Sequence, residues 1–295
     1  MFRNVAELVE LADSRKCKIS EIMIEQEMEV TGRSREEVFA FMDRNLTVME
    51  EAVERGITED VKSHSGLTGG DGKLLQAYIK TGKSLSGDLM LDAVSKAMAT
   101  NEVNAAMGTI CATPTAGSAG VVPGTLFALK GKLNPTRDQM IEYLFASGAF
   151  GFVVANNASI SGAAGGCQAE VGSATGMAAA AIVELAGGTP SQSAEAFAIA
   201  LKNMLGLVCD PVAGLVEVPC VKRNAMGASN AIVAADMALA GIVSRIPCDE
   251  VIDAMYKIGL TMPSALRETA QGGLAATPTG RELEAKIFGI PLNKK

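Results

Sequence analysis

The sequence predicts an all-α fold, a compact helical domain with Gly/Ser/Thr-rich loops between its helices, and three observations carry that prediction. Apolar residues recur at three- and four-residue steps along most of the chain, while continuous two-residue alternation is scarce. Hydrophobic residues make up 48% but aromatics only 4%, with 15 Met and no Trp, a palette for close-packed helices rather than aromatic-rich sheets. Helix-start signals of the Ser/Thr-x-x-Glu/Gln form also recur, in which each side chain satisfies the other's backbone N–H.

Taken in order, Asn4 to Ser14 and Ile19 to Glu29 read as helices, and Ser34 with Glu37 opens a third. These suit a helical N-terminal extension over residues 1–60 of one large domain spanning residues 1–295, a length sufficient for a sizeable core. Gly87 to Met107 follows, and Thr136 with Gln139 opens the next helix. Gln168 to Leu185, Ser191 to Leu207, Asn224 to Ile242 and Asp249 to Thr261 continue the pattern, and Thr279 with Glu282 opens the last. Ala178 to Val183 and Ala231 to Ala240 are apolar nearly all round, which predicts helices enclosed by other helices. Three small-residue connections, Ser63 to Gly72, Thr113 to Gly124 and Asn156 to Cys167, can present backbone N–H groups to an anion, which makes them the places to look for chemistry.

Charge narrows the partners. Lys plus Arg number 26 against 33 Asp plus Glu, a net charge of -7 with no basic block, which argues against nucleic acid. Met1 to Lys16 mixes charges among its apolar residues, unlike a secretory signal. Asp236 and Glu184 interrupt the two longest apolar runs short of the roughly 20 residues a membrane span needs. A cytoplasmic protein without membrane contact is expected, in which the six Cys are free thiols or metal ligands before they are disulfides.

Cys167 follows Ser161-Gly-Ala-Ala-Gly-Gly, and Cys209 and Cys220 bracket Asp-Pro-Val-Ala-Gly-Leu-Val-Glu-Val-Pro, so all three stand beside Gly or Pro at helix ends. No Cys-x-x-Cys occurs, which rules out the common zinc-ribbon and ferredoxin spacings. Spacing alone leaves two readings open, metal ligands or small buried hydrophobes. His64, the single histidine, sits among Ser, Thr, Gly and Asp, where it is either a proton-transfer group or a solvated loop residue. Thr113, Thr115 and Ser118 alternate with Pro and Gly as in an anion-binding nest or an ordinary tight loop. Asn156, Asn157 and Ser161 suit either the same work or helix capping. Lys222 and Arg223 stand close enough to Cys220 to offset negative charge there. Cys17, Cys111 and Cys248 read as structural.

Four stretches carry a resemblance: Ser63-His-Ser-Gly-Leu-Thr-Gly-Gly-Asp71, Thr113-Pro-Thr-Ala-Gly-Ser-Ala-Gly-Val-Val-Pro-Gly124, Asn156 through Gly172, and Cys209 through Asn224. In this order, over nearly the whole length, they resemble the iron–sulfur-dependent L-serine dehydratases, specifically the α subunit of the two-subunit type. The resemblance implies a lyase that converts L-serine to pyruvate and ammonia, with Cys167, Cys209 and Cys220 holding a [4Fe–4S] cluster. Three thiolates leave one iron without a protein ligand, free to act as a Lewis acid on the serine hydroxyl. His64 becomes the acid/base candidate, and Ser65, Thr68, Gly69, Thr113, Thr115, Gly117, Ser118 and Asn157 the candidates for binding substrate.

Single-chain members of that family carry an additional domain and end in a Cys, whereas this sequence ends Leu292-Asn-Lys-Lys295. A separate β subunit is therefore expected. The competing readings are an iron–sulfur hydro-lyase or desulfidase acting on another small amino or hydroxy acid, and a metal-free helical partner subunit. A pyridoxal-phosphate enzyme would need a Schiff-base lysine, and no Lys stands in a context that singles it out.

Overall fold

A computed structural model describes residues 1–289, so the Leu292–Lys295 end lies outside the described residues. Among those residues the fold is all-α, with no strand and a single isolated bridge between Cys209 and Arg267. In chain order the helices are α1 (Val5–Arg15), α2 (Ile19–Thr31), α3 (Arg35–Thr58), α4 (Asp71–Ile79), α5 (Asp88–Ala105), α6 (Val121–Leu133), α7 (Arg137–Asn157), the single turn α8 (Gly162–Gly165), α9 (Ser173–Leu185), α10 (Pro190–Lys202), α11 (Cys220–Leu239), α12 (Cys248–Thr261) and α13 (Pro278–Phe288).

The centre is α9, whose residues Ser173 through Val183 are all buried beneath α10, α7, α11 and α6. Its Ala-rich surface lets those neighbours approach closely, and Gly176 packs under the Phe197 ring, where a Cβ would stand 2.7 Å from the ring edge. A second layer forms around α5, which meets α6, α11, α4 and α3. The N-terminal helices join the same hydrophobic cluster through Phe2, Val5, Leu8, Ile19, Ile24, Val38 and Leu46.

The capping boxes read at Ser34/Glu37 and Thr136/Gln139 are both formed. The one read at Thr279/Glu282 is not. Pro278 takes the first helical position, where its fixed φ and missing N–H fit, so Thr277 becomes the cap and accepts from the Gly280 N–H at 3.1 Å. The same arrangement, unread in the sequence, starts α10 with Thr189, Pro190 and Gln192. Two helices were also unread. One is α4, whose N-terminus is capped from a distance by the buried Glu102 carboxylate, which accepts from the Asp71 and Gly72 N–H groups at 2.8 and 3.1 Å. The other is α6, which begins at Val121 inside the stretch expected to be loop to Gly124 and is buried on every side through Leu129. Ala231 to Ala240 is not enclosed as expected: Val233, Asp236 and Met237 face solvent, and only the opposite face of α11 is buried.

Candidate metal centre and active site

Three buried thiols come from three chain segments, and two of them, Cys167 and Cys209, meet. Cys167 follows α8 and Gly166, whose φ of 78° turns the chain, and opens the π turn Gln168–Gly172 that leads into α9. Gln168 fixes that turn: its N–H donates to the Leu207 carbonyl at 3.0 Å, and its side chain bridges the Met255 carbonyl (3.0 Å) and the Gly206 N–H (2.9 Å). Wide turns of this kind recur at functional sites because they re-aim side chains. Cys209 is pinned by the isolated bridge, its N–H donating to Leu266 at 2.9 Å and its carbonyl accepting from Glu268 at 2.8 Å. Cys220 is the first residue of α11. All three thiols are buried.

The Cys167 and Cys209 sulfurs and a Glu170 carboxylate oxygen lie within 4.8 Å of one another. Cys167 and Glu170 are three residues apart, and the π turn between them brings thiol and carboxylate to one site. Cys220 is not part of that close group; its thiol is raised first by burial and then by the Cys167 and Glu170 charges. Among the described residues one cation contacts this site. Arg223, a turn into α11, donates from Nη1 to Cys167 Sγ at 3.4 Å and to the Val208 carbonyl at 2.7 Å. Its Nη2 stands 2.9 Å from Asp210 Oδ1, close enough to pair by charge although the alignment is poor for a hydrogen bond. The other Asp210 oxygen accepts from the Leu274 N–H at 2.7 Å.

Ionisation follows from these contacts. Cys167 is held below the ordinary thiol value by its hydrogen bond with Cys209, and Arg223 adds to the effect against the opposing cost of burial. Cys209 is raised by the same hydrogen bond, by burial and by the Cys167 charge. Burial raises Glu170 despite the Thr115 hydroxyl facing it. One thiolate is therefore readily formed, whereas further thiolates beside a carboxylate are beyond what a single arginine offsets. A bound cationic group would supply the missing positive charge, and sulfur donors select soft metals, so the donor set fits an iron or iron–sulfur centre.

The predicted loops reach this centre to different degrees. Thr115 and Gly117 abut Glu170, a Cβ on Gly117 falling 3.3 Å from Oε2. Ser118 is fully buried, its hydroxyl donating to the Thr113 carbonyl at 3.0 Å, and Thr113 turns its own hydroxyl toward the Ala119 carbonyl at 3.4 Å. Asn101 and Asn224 both donate to the Gly117 carbonyl, at 3.0 and 2.8 Å, which ties this loop to α5 and α11. Ser65 and Thr68 point at Glu217, a buried residue on the segment between Cys209 and Cys220. The Ser65 hydroxyl is 2.8 Å from each Glu217 oxygen and the Thr68 hydroxyl 3.1 Å from one. Gly69 serves a close approach, with φ of 136° and room for no Cβ, which would fall 2.2 Å from the Val61 carbonyl. His64 is exposed on the turn before Ser65. Asn157 is not brought to the cysteines: it ends α7 and donates to the Arg3 carbonyl at 2.7 Å, lining a cavity of about 560 Å³ with Asn4, Glu7 and Asp249. Lys222 pairs with Asp71, whereas Arg223 is the cation on Cys167.

Sequence reasoning missed Glu170, Glu217, Asp210 and Asn224. The spacing of Glu170 from Cys167 was a usable signal; the partners of the other three lie far along the chain.

The architecture and site define a helical protein with a buried, thiol-rich centre suited to a metal group. The Serine dehydratase alpha chain family profile matches residues 14–275, and the chain belongs to that family. It is 78% identical over 295 residues, 100% of this chain and 98% of the other, to the probable L-serine dehydratase, alpha chain, of Bacillus subtilis (strain 168). Identity to the L-serine dehydratase, alpha chain, of Peptoniphilus asaccharolyticus is 42% over 283 residues, covering 96% and 97% of the two chains. The L-serine dehydratase TdcG of Escherichia coli (strain K12) is 39% identical over 280 residues, which span 93% of this chain but 61% of that one. No helix among the described residues is long and apolar enough to cross a membrane.

Proposed function

We propose that this chain is the catalytic α subunit of an L-serine dehydratase, holding a [4Fe–4S] cluster on Cys167, Cys209 and Cys220 and converting L-serine to pyruvate and ammonia. The observation that carries the reading is the buried meeting of Cys167, Cys209 and Glu170 with one arginine to offset them, in a chain whose full-length relatives are named for this activity. When bound, the cluster supplies Lewis-acid assistance to departure of the serine hydroxyl.

The chain's residues supply the rest. Arg223 holds the Cys167 sulfur in place and keeps it ionised, with Asp210 fixing the guanidinium. Thr115 and the Gly117 backbone face the centre, where they bind and orient the serine carboxylate, while Ser118 braces that loop from inside. Ser65 and Thr68 act through Glu217 to seat the His64 loop against the segment carrying Cys209 and Cys220, and His64 moves the Cα proton. Asn157 takes no part in this scheme. A β subunit completes the cytoplasmic enzyme, a reading supported by the alpha chain names of the full-length relatives.

Anaerobic reconstitution followed by iron, sulfide and pyruvate assays, with and without the β subunit, tests the proposal. Bound iron and sulfide with serine-dependent pyruvate formation is expected; a reconstituted chain that binds neither and forms no pyruvate with its partner refutes it.

A further inference from the structure

Glu170 faces the cysteine site with no use in a centre ligated by three thiolates alone. A carboxylate oxygen lies within 4.8 Å of both the Cys167 and Cys209 sulfurs. The residue is only 9% exposed, and no Lys or Arg forms an ion pair with it among the described residues, since Arg223 is spent on Cys167 and Asp210. Two glycines wall the carboxylate in. A Cβ on Gly162 would stand 2.8 Å from Glu170 Oε2 and 3.0 Å from Cys209 Sγ, and one on Gly117 would stand 3.3 Å from Oε2. The π turn that opens at Cys167 also carries Glu170, so thiol and carboxylate are presented by one piece of backbone held against Leu207 and Met255.

We propose that the Glu170 carboxylate is a fourth protein ligand of the metal group held by Cys167, Cys209 and Cys220, filling in the absence of substrate the position those thiolates leave open. This rests on the metal-site reading given above. A carboxylate is a harder donor than a thiolate and a weaker partner for iron–sulfur centres, which makes this position the exchangeable one. Exchange needs no redox step: the Glu170 oxygen withdraws with its electron pair, and an incoming substrate oxygen donates one in its place. The small walls at Gly162 and Gly117 leave the displaced carboxylate confined beside the centre, ready to return after product leaves.

The test uses the full chain, reconstituted anaerobically, as wild type, Glu170→Gln and Glu170→Ala. Iron and sulfide content is measured first, then the electron paramagnetic resonance of the reduced centre in ¹⁷O-labelled water without serine, then the rate of iron loss to a chelator. Wild type is expected to show no ¹⁷O broadening, because Glu170 excludes water, and Glu170→Ala to show it. Both variants should bind iron and lose it faster, in the about 10- to 100-fold range typical of a lost supporting group at a metal site. Glu170→Gln preserves volume and guards against a folding defect in the Ala variant. Broadening already in wild type, or none in Glu170→Ala, overturns the proposal while leaving the three-cysteine reading intact. A rise in serine KM with unchanged spectra also overturns it, placing the carboxylate on the substrate instead. A wild-type chain that takes up no iron and sulfide overturns both readings.

Discussion

Glu217→Ala should release the His64 loop without emptying the cysteine site. Glu217 is 5% exposed and accepts from the hydroxyls of Ser65 and Thr68 at 2.8 and 3.1 Å. Hydrogen bonds to a charged group contribute about 1.5–3 kcal/mol each, so losing both without replacement would cost about 3–6 kcal/mol. Ser65 is only half-buried, and water can take over part of its bonding, which favours the low end, about 3 kcal/mol. At 1.4 kcal/mol per tenfold, local opening of the Ser63–Gly72 segment should rise by about 10²-fold. Native-state hydrogen exchange reads this directly at the Thr68 carbonyl's partner, the Ser63 N–H, which is paired at 3.0 Å in the closed loop. Iron content should hold while turnover falls. Unchanged exchange at Ser63 would refute the clamp, and full turnover with accelerated exchange would show that the clamp does not matter to catalysis.

Three further outcomes are expected. Cys167→Ser, Cys209→Ser and Cys220→Ser should each abolish iron retention after anaerobic reconstitution, whereas Cys17→Ser and Cys248→Ser, outside the centre, should retain it; full iron in any of the first three removes that residue from the ligand set. His64→Ala should keep its iron and lose turnover by about 10²- to 10⁴-fold, the range of general acid–base catalysis, and near-normal pyruvate formation at equal iron would make His64 a bystander. Glu184, whose carboxylate caps α2 through the Ser20 N–H at 3.2 Å, is raised chiefly by burial, against hydrogen bonds from Ser20 and Ile19. Between the ordinary carboxylate value of about 4.3 and the raised one, the folded state keeps a proton that the unfolded state has released, so stability falls as pH rises through that window. The melting temperature of wild type relative to Glu184→Gln should therefore decline as pH rises above the ordinary carboxylate range, and a rising difference would contradict the sign.

Most helices were legible because their signals are local. Ser34 with Glu37 and Thr136 with Gln139 act within four residues, and the structure forms both pairs. What escaped was long-range or unpatterned. The N-terminus of α4 is satisfied by Glu102, thirty residues further along the chain, so no cap is visible beside Asp71. The residues of α6 are apolar on all sides through Leu129, and a helix with no polar face has no periodicity to read. Ala231 to Ala240 fails in the opposite sense: its outward positions are Val233 and Met237 as well as Asp236, so composition concealed an exposed face.

The candidate site divides along the same line. Cysteines at helix ends beside Gly and Pro are conspicuous in sequence, and so is a single histidine in a polar loop; neither needs knowledge of what lies opposite. Glu170 was only half readable: a carboxylate three residues after a candidate ligand would share its face on an α-helix, but this segment is a π turn, and its backbone geometry is what brings the two together. Arg223 was readable as a cation for this centre from its place beside Cys220, although the thiol it contacts, Cys167, lies far away in sequence; Glu217 was not, because its importance is set by Ser65 and Thr68. The nest candidates show why composition overreaches. Thr115 and Ser118 are of like chemistry within one turn, yet the turn that aims the first at Glu170 folds the second onto the Thr113 carbonyl. A tight loop spends some of its hydroxyls on closing itself, and only backbone geometry decides which ones remain for a ligand.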